Sequence, residues 1–284
     1  AAAAVLAGTK LREDDASRVL SWESGGVNSL LVDDRAGVQV VGSTAIDALH
    51  IIMNRTTYES ERGDTTASAA AAAAIVDAKT RRGALLLVTA HRRENLGAPL
   101  RSICDAVLAL VARYPNLVVA FPVHLAPAVQ AVVRTKLTCL QAKAGAHRAE
   151  SPRSPLGCDR IHLLPPLDHA TLLRTMANSR LVLSDSGGLQ EEAPALGVPL
   201  LVLRERTERV EGLHVGAAKL IGTQPESILR EASLLLDSYG AESGCYAEMA
   251  KVRYPYGDGT AAHAIVAALL ARKSELIALK TASG

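Results

Sequence analysis

Short, unbroken apolar runs alternate with longer stretches of helical periodicity from about residue 38 onward. Val38–Val41, Leu85–Thr89, Leu117–Phe121, Arg160–Leu164, Leu181–Ser184, Leu200–Leu203 and Lys219–Ile221 read as strands. Runs such as LLLV, LVVAF and LLVL lack polar alternation, which is the pattern of strands covered on both faces of a parallel sheet. Between them, Pro99–Ala112, Ala126–Lys136, His169–Ala177 and Gly188–Leu196 read as helices. Gly259–Leu279 reads as one long helix, with Ile265, Leu269, Leu270 and Leu276 near helical spacing. This alternation predicts an α/β fold, a doubly wound parallel sheet of Rossmann-like type.

Three segments depart from the pattern. Residues 1–37 carry Ser, Gly and Asp clusters and read as a poorly organised lead-in. Thr65–Ala74 is alanine-rich and reads as a helix of small residues. Leu140–Asp159, with Pro152 and Pro155, reads as an inserted surface loop that a shorter connection could replace. Residues 38–284 are then a single domain carrying that insertion.

Composition narrows the function. Lys plus Arg is 31 and Asp plus Glu 29, a net charge of +2, too small to argue for nucleic acid or an anionic membrane as the main partner. Aromatics at 3% offer few stacking platforms for single strands. No apolar run approaches the roughly 18 residues of a membrane helix. The opening AAAAVLAG lacks the basic start and long apolar core of a signal peptide. Cys104, Cys139, Cys158 and Cys245 show no CxxC spacing, so neither a zinc ribbon nor a disulfide framework is indicated. The expectation is a cytoplasmic α/β protein needing no metal and no cofactor.

Polar chemistry concentrates behind four of the strands. Leu85–Thr89 runs into AHRREN, with His91, Arg92, Arg93, Glu94 and Asn95; Leu117–Phe121 runs into PVH, with His124. Leu181–Ser184 runs into DSGGLQEEAP, and Leu200–Leu203 into RERTER. In an open parallel sheet, ligands bind outside the carboxyl ends of the strands, so these four loops share one edge. Their His and Arg residues suit an anion. Asp185-Ser186-Gly187-Gly188 joins a buried strand to a helix, where glycine lets the backbone approach a ligand and the helix start favours a diphosphate. Glu192, farther along that helix, is placed to accept from both hydroxyls of a ribose. The plainer reading is that Asp185 or Ser186 caps the helix. His91 can donate to a phosphate or protonate a leaving group, or is simply a loop histidine, and the same alternatives hold for His124. One of Arg92 and Arg93 faces solvent or pairs with Glu94. Among Arg204, Arg206 and Arg209 at least one reaches a phosphate, and the others are surface charges paired with Glu205, Glu208 or Glu211. His147, His162, His169, His214 and His263 fit no metal-ligand spacing and receive no role.

In order along the chain, VVGSTAIDAL, AHRRENLG, PVHLAP, LVLSDSGGLQEEAPALGVPLLVLRERTER and YPYGDG resemble the non-hydrolysing UDP-N-acetylglucosamine 2-epimerases, over roughly residues 38–275. The resemblance is to the second of that family's two Rossmann-like domains, an arrangement of the GT-B type. It implies an isomerase that interconverts UDP-GlcNAc and UDP-ManNAc by eliminating UDP and adding it back on the other face of the sugar. The family's essential acidic residues and its N-terminal phosphate loop belong to the first domain, and no counterpart is seen in this sequence; GDTTAS at Gly63–Ser68 follows VVGSTAIDAL instead of preceding it and reads as a chance echo.

Carried over residue by residue, the family's UDP-binding positions fall on His91, Ser186, Gly187, Gly188, Glu192 and Arg209. Leu167 and Leu172 fall on positions flanking the uracil. His91 also takes the role of stabilising the leaving group, and His124 matches a histidine of a regulatory UDP-GlcNAc site. The sequence departs at Ala90, Ala126, Val210 and Tyr254, where the family has Gly or Thr, Asn, Pro and Asn. The resemblance implies UDP-GlcNAc and UDP as partners and allows a homodimer, which in the family relies in part on the first domain. Two alternatives stand beside it: a UDP-binding module without catalysis, and the donor domain of a GT-B glycosyltransferase.

Overall fold

The structure, a computed structural model, describes residues 32–33, 38–59, 83–145 and 160–272. The chain divides into two compact units, residues 1–51 with 256–284, and residues 52–255.

In the smaller unit, β1 (Val32–Asp33) and β2 (Val38–Gln39) form an antiparallel pair of two residues each. The strand expected at Val38–Val41 is therefore short and takes no place in the large sheet, and Val32–Asp33 gives part of the lead-in a defined structure. Helix α1 (Thr44–Glu59) begins here, and Gly42, at φ 88°, makes the turn before it. The Ser43 N–H donates to the Tyr256 carbonyl at 2.7 Å. Asp47, 8% exposed, accepts from the N–H groups of Ala261 and Ala262 at 3.2 and 2.9 Å. Those are orphan donors at the start of helix α9 (Ala261–Ala271), whose own N-cap residue, Thr260, makes no side-chain cap bond. A carboxylate on α1 thus caps α9, and two segments read separately in the sequence, VVGSTAIDAL and YPYGDG, come together. The tail helix takes up the first part of the expected Gly259–Leu279; residues 273–279 and Thr65–Ala74 lie outside the described residues.

The larger unit holds a six-stranded, wholly parallel sheet in the order β5-β4-β3-β6-β7-β8. Its strands are β3 (Ala84–Thr89), β4 (Leu117–Pro122), β5 (Ile161–Leu164), β6 (Leu181–Ser184), β7 (Leu200–Val202) and β8 (Ala218–Leu220). This is the Rossmann-like α/β sheet the apolar runs predict. The helices are α2 (Ala98–Arg113), α3 (Pro127–Gly145), α4 (His169–Ala177), α5 (Gly187–Ala195), α6 (Val210–His214), α7 (Pro225–Asp237) and α8 (Cys245–Lys251). Alternate strand residues Leu86, Val88, Val119, Phe121, Leu181, Leu183 and Leu201 pack into one core with Ile103, Val107 and Leu110 of α2, Val129 and Val133 of α3, and Ile228 and Leu235 of α7. Their neighbours Leu85, Leu87, Val118, Ala120, Val182 and Val202 are equally buried, which is why these runs show no polar alternation.

Two local departures have simple causes. Helix α3 continues through Leu140–Gly145, the start of the segment read as a loop, because Leu, Gln, Ala and Lys are strong helix formers and the run ends at Gly. Residues 146–159 lie outside the described residues. Tyr254, where the resemblance implies Asn, adopts a left-handed φ of 62°. Asn tolerates that conformation far better than an aromatic residue, so the substitution places backbone strain at this turn.

Candidate functional site

The chain runs outward from β3 to β4 and β5, returns to the centre, and runs outward again through β6, β7 and β8. The strand order reverses between β3 and β6, and the crevice at such a switch point is where open parallel sheets bind ligands. Thr89 and Ser184, the last residues of those strands, face one another in register, with their hydroxyls 2.7 Å apart.

The residue after β6, Asp185, is fully buried and joins the loops. Its Oδ2 accepts from the backbone N–H groups of His91 and Arg92, both at 2.8 Å, and from Asn95 Nδ2 at 2.9 Å. Asn95 also donates to the Leu203 carbonyl at the end of β7, at 2.9 Å. A single carboxylate and one amide therefore fix the loops after β3, β6 and β7 to one another. Asp185 does not cap α5, and Ser186, the N-cap residue, makes no side-chain cap bond. Both plainer readings of DSGG give way to this junction.

His91, 37% exposed at its side chain, holds Nδ1 3.5 Å from Asp185 Oδ1, a buried oxygen with no hydrogen-bond partner among the described residues. Its ring stacks on that of His124, with centroids 5.2 Å apart and planes 8° from parallel. His124 Nδ1 accepts from the Ala126 N–H at 3.0 Å, which leaves Nε2 as the proton-bearing nitrogen of the neutral ring. Both histidines thus stand together at the adjoining ends of β3 and β4.

The start of α5 is ringed by charge. A Cβ on Gly187 would stand 3.1 Å from an Arg92 guanidinium nitrogen, 3.2 Å from Glu208 Oε1 and 3.8 Å from an Arg209 guanidinium nitrogen. Arg92 thus reaches the helix start, whereas Arg93 is exposed and Glu94 pairs with Arg204 at 2.6 Å. Arg209 donates from Nε to Glu191 at 2.6 Å and lies 3.4 Å from Glu208; Arg204 also donates to Glu208 at 3.0 Å. Its own backbone amide and the two guanidiniums hold the Glu208 carboxyl below the usual carboxylate range. Two guanidiniums over a helix N-terminus form an anion site in character.

Glu192 lies on α5 with 6% of its surface exposed. Burial pushes its carboxyl up and the adjacent Glu191 adds to that, while a 2.7 Å hydrogen bond from His169 Nε2 opposes both. Asp168 caps α4 by accepting from the Thr171 N–H at 2.9 Å, with half-buried Leu167 before it and Leu172 within the helix. His169 and Asn95 carry no motif spacing of their own, although both stand behind a strand on the edge that carries every other candidate. Cys104, by contrast, is buried in the core, its thiol pushed up to about 12 by burial and the nearby Asp105, and is no nucleophile. Among the described residues no group of three His, Cys, Asp or Glu could hold a metal ion, and no helix is long and apolar enough to cross a membrane.

Residues 28–270 match the family model described as UDP-N-acetylglucosamine 2-epimerase. The chain is 37% identical over 231 residues to the UDP-N-acetylglucosamine 2-epimerase of Bacillus subtilis, covering 81% of this chain and 51% of that protein. It is 34% identical over 241 residues to the Campylobacter jejuni enzyme of the same name, covering 85% and 56%. Among solved structures it superposes on the Neisseria meningitidis UDP-GlcNAc 2-epimerase bound to UDP-GlcNAc with a TM-score of 0.65 and 32% identity, over 81% of this chain and 54% of that one. The chain spans about half the length of the curated relatives it matches. With a family model matched over most of its length, the chain belongs to the UDP-N-acetylglucosamine 2-epimerase family.

Proposed function

We propose that this chain is the UDP-binding half of a UDP-GlcNAc 2-epimerase, interconverting UDP-GlcNAc and UDP-ManNAc by elimination and re-addition of UDP. The observation that carries the reading is the convergence of Arg92, Arg209 and the Gly187–Gly188 helix start at the switch point, beside a histidine held by buried Asp185. Diphosphate oxygens bind the Ser186 hydroxyl and the Gly187–Gly188 start of α5, with Arg209 and Arg92 neutralising their charge. The His91 imidazole stands next to this anion site and stabilises negative charge as the C1–O bond breaks. Glu192 accepts from the ribose hydroxyls, and Leu167 and Leu172 flank the uracil. His124 belongs to the regulatory site that the family resemblance implies. These residues serve leaving-group departure; the C2 proton needs a positioned base, which the reading assigns to a second domain facing this cleft.

Calorimetric titration of the chain with UDP tests the reading. UDP binds, and Glu192→Ala weakens it by about tenfold or more, since the ribose hydroxyls lose a charged acceptor. Equal affinities of the two proteins would remove Glu192 from the site, and absence of binding would remove the site itself.

A further inference from the structure

His169 is the first residue of α4, directly after the N-cap Asp168, whose bonds to the Thr171 N–H and hydroxyl, at 2.9 and 2.7 Å, fix the start of that helix. From this anchored position the imidazole reaches across to α5, and Nε2 meets Glu192 Oε1 at 2.7 Å. The two partners are unequally exposed: the His169 side chain is 46% open to solvent, that of Glu192 8%. The imidazole is the outer member of the pair, and the carboxylate lies behind it. The charged groups facing Glu192 are His169 from α4 and Glu191 on its own helix, the latter bonded to Arg209.

We propose that His169 is a positioning residue for nucleotide recognition: by binding Glu192 Oε1 it fixes the carboxylate's orientation and leaves Oε2 to the ribose hydroxyls. This rests on the ribose role of Glu192 argued above. The physical need is specific. A carboxylate with few donors, buried beside another glutamate, drifts toward its protonated form, and a protonated acid is a poorer, asymmetric acceptor for a vicinal diol. Burial and Glu191 push the Glu192 carboxyl up, and the His169 bond is the opposing influence. A donor held on a different helix also restricts the Glu192 rotamer, so less side-chain freedom remains to be lost when the nucleotide binds. The carboxylate must be ionised to grip the diol, so UDP affinity falls as pH drops through its titration. Without His169 that loss begins at higher pH.

The test compares UDP with 2′,3′-dideoxyuridine diphosphate, which keeps base and diphosphate and lacks both hydroxyls. Calorimetric titrations of the full chain run from about pH 5 to pH 8 on the wild type, His169→Ala and His169→Gln. In His169→Ala, the preference for UDP over the dideoxy compound falls about tenfold at the acid end and by less at pH 8. His169→Gln keeps an N–H donor on α4, and it restores most of the preference. At each pH, affinity for the dideoxy compound stays within about twofold of the wild type's, reporting an intact fold and diphosphate site. A wild-type preference in His169→Ala at every pH overturns the proposal. So does a parallel fall in affinity for both compounds, which marks a purely structural role. A wild type that does not prefer UDP overturns the ribose assignment of Glu192 itself, and the inference with it.

Discussion

At the β3–β6 junction one fully buried carboxylate, Asp185, is held by the backbone amides of His91 and Arg92 and by Asn95, whereas along the loop after β7 Arg204 and Arg209 are held by Glu94, Glu191 and Glu208. The first arrangement ties backbone to backbone through a side chain that has no room to move. The second ties long side chains to one another, and Glu94 and Glu208 are about half exposed, at 52% and 48%. A backbone-anchored hub sets where the loops stand, and only there can it position His91. The two half-exposed carboxylates cost little to rearrange, so the guanidiniums can keep buried Glu191 and exchange Glu208 for an incoming phosphate. The same edge therefore carries a rigid part that places groups and an adjustable part that meets charge.

The sharpest break of this contrast is Asp185→Ala, which removes the acceptor shared by three donors. It lowers unfolding free energy by about 2–4 kcal/mol in a denaturant titration, and a loss under about 1 kcal/mol would show that the hub is not structural. Arg209→Ala acts on the adjustable part: UDP affinity by calorimetry falls about tenfold, with a smaller change in stability than Asp185→Ala. The reverse order of the two stability effects would collapse the distinction. The smallest effect belongs to Arg204→Ala, which breaks the pairs with Glu94 and Glu208 and shifts stability by about 0–1 kcal/mol. High salt reduces that difference further, whereas the Asp185 effect persists in salt because the site is buried.

Much of this was legible in the chain. The buried runs LLLV, LVVAF and LLVL became β3, β4 and β7 because a parallel strand covered on both faces needs no polar residue, and helix His169–Ala177 has the bounds its pattern predicts. The loops behind β3, β4, β6 and β7 meet at one edge because parallel strands send all their carboxyl ends the same way. Choice of partner was not legible. Arg92 and Arg93 are adjacent and chemically identical, and only the fold turns Arg92 to the start of α5 and Arg93 to solvent. Glu191 and Glu192 are likewise neighbours, about 100° apart around the helix, so one meets Arg209 and the other His169.

The sequence by itself determined the sheet, the edge at which its polar loops gather, and the residue types available there, because burial and periodicity are local properties of a strand or a helix turn. Only the tertiary structure decided that Asp185 joins loops instead of capping α5, that Asp47 caps α9 from a helix more than two hundred residues earlier, and that His169 belongs with Glu192. Each of these is a hydrogen bond of about 3 Å between residues far apart in the chain. Its existence depends on where whole elements lie, and no window of neighbouring residues contains that information.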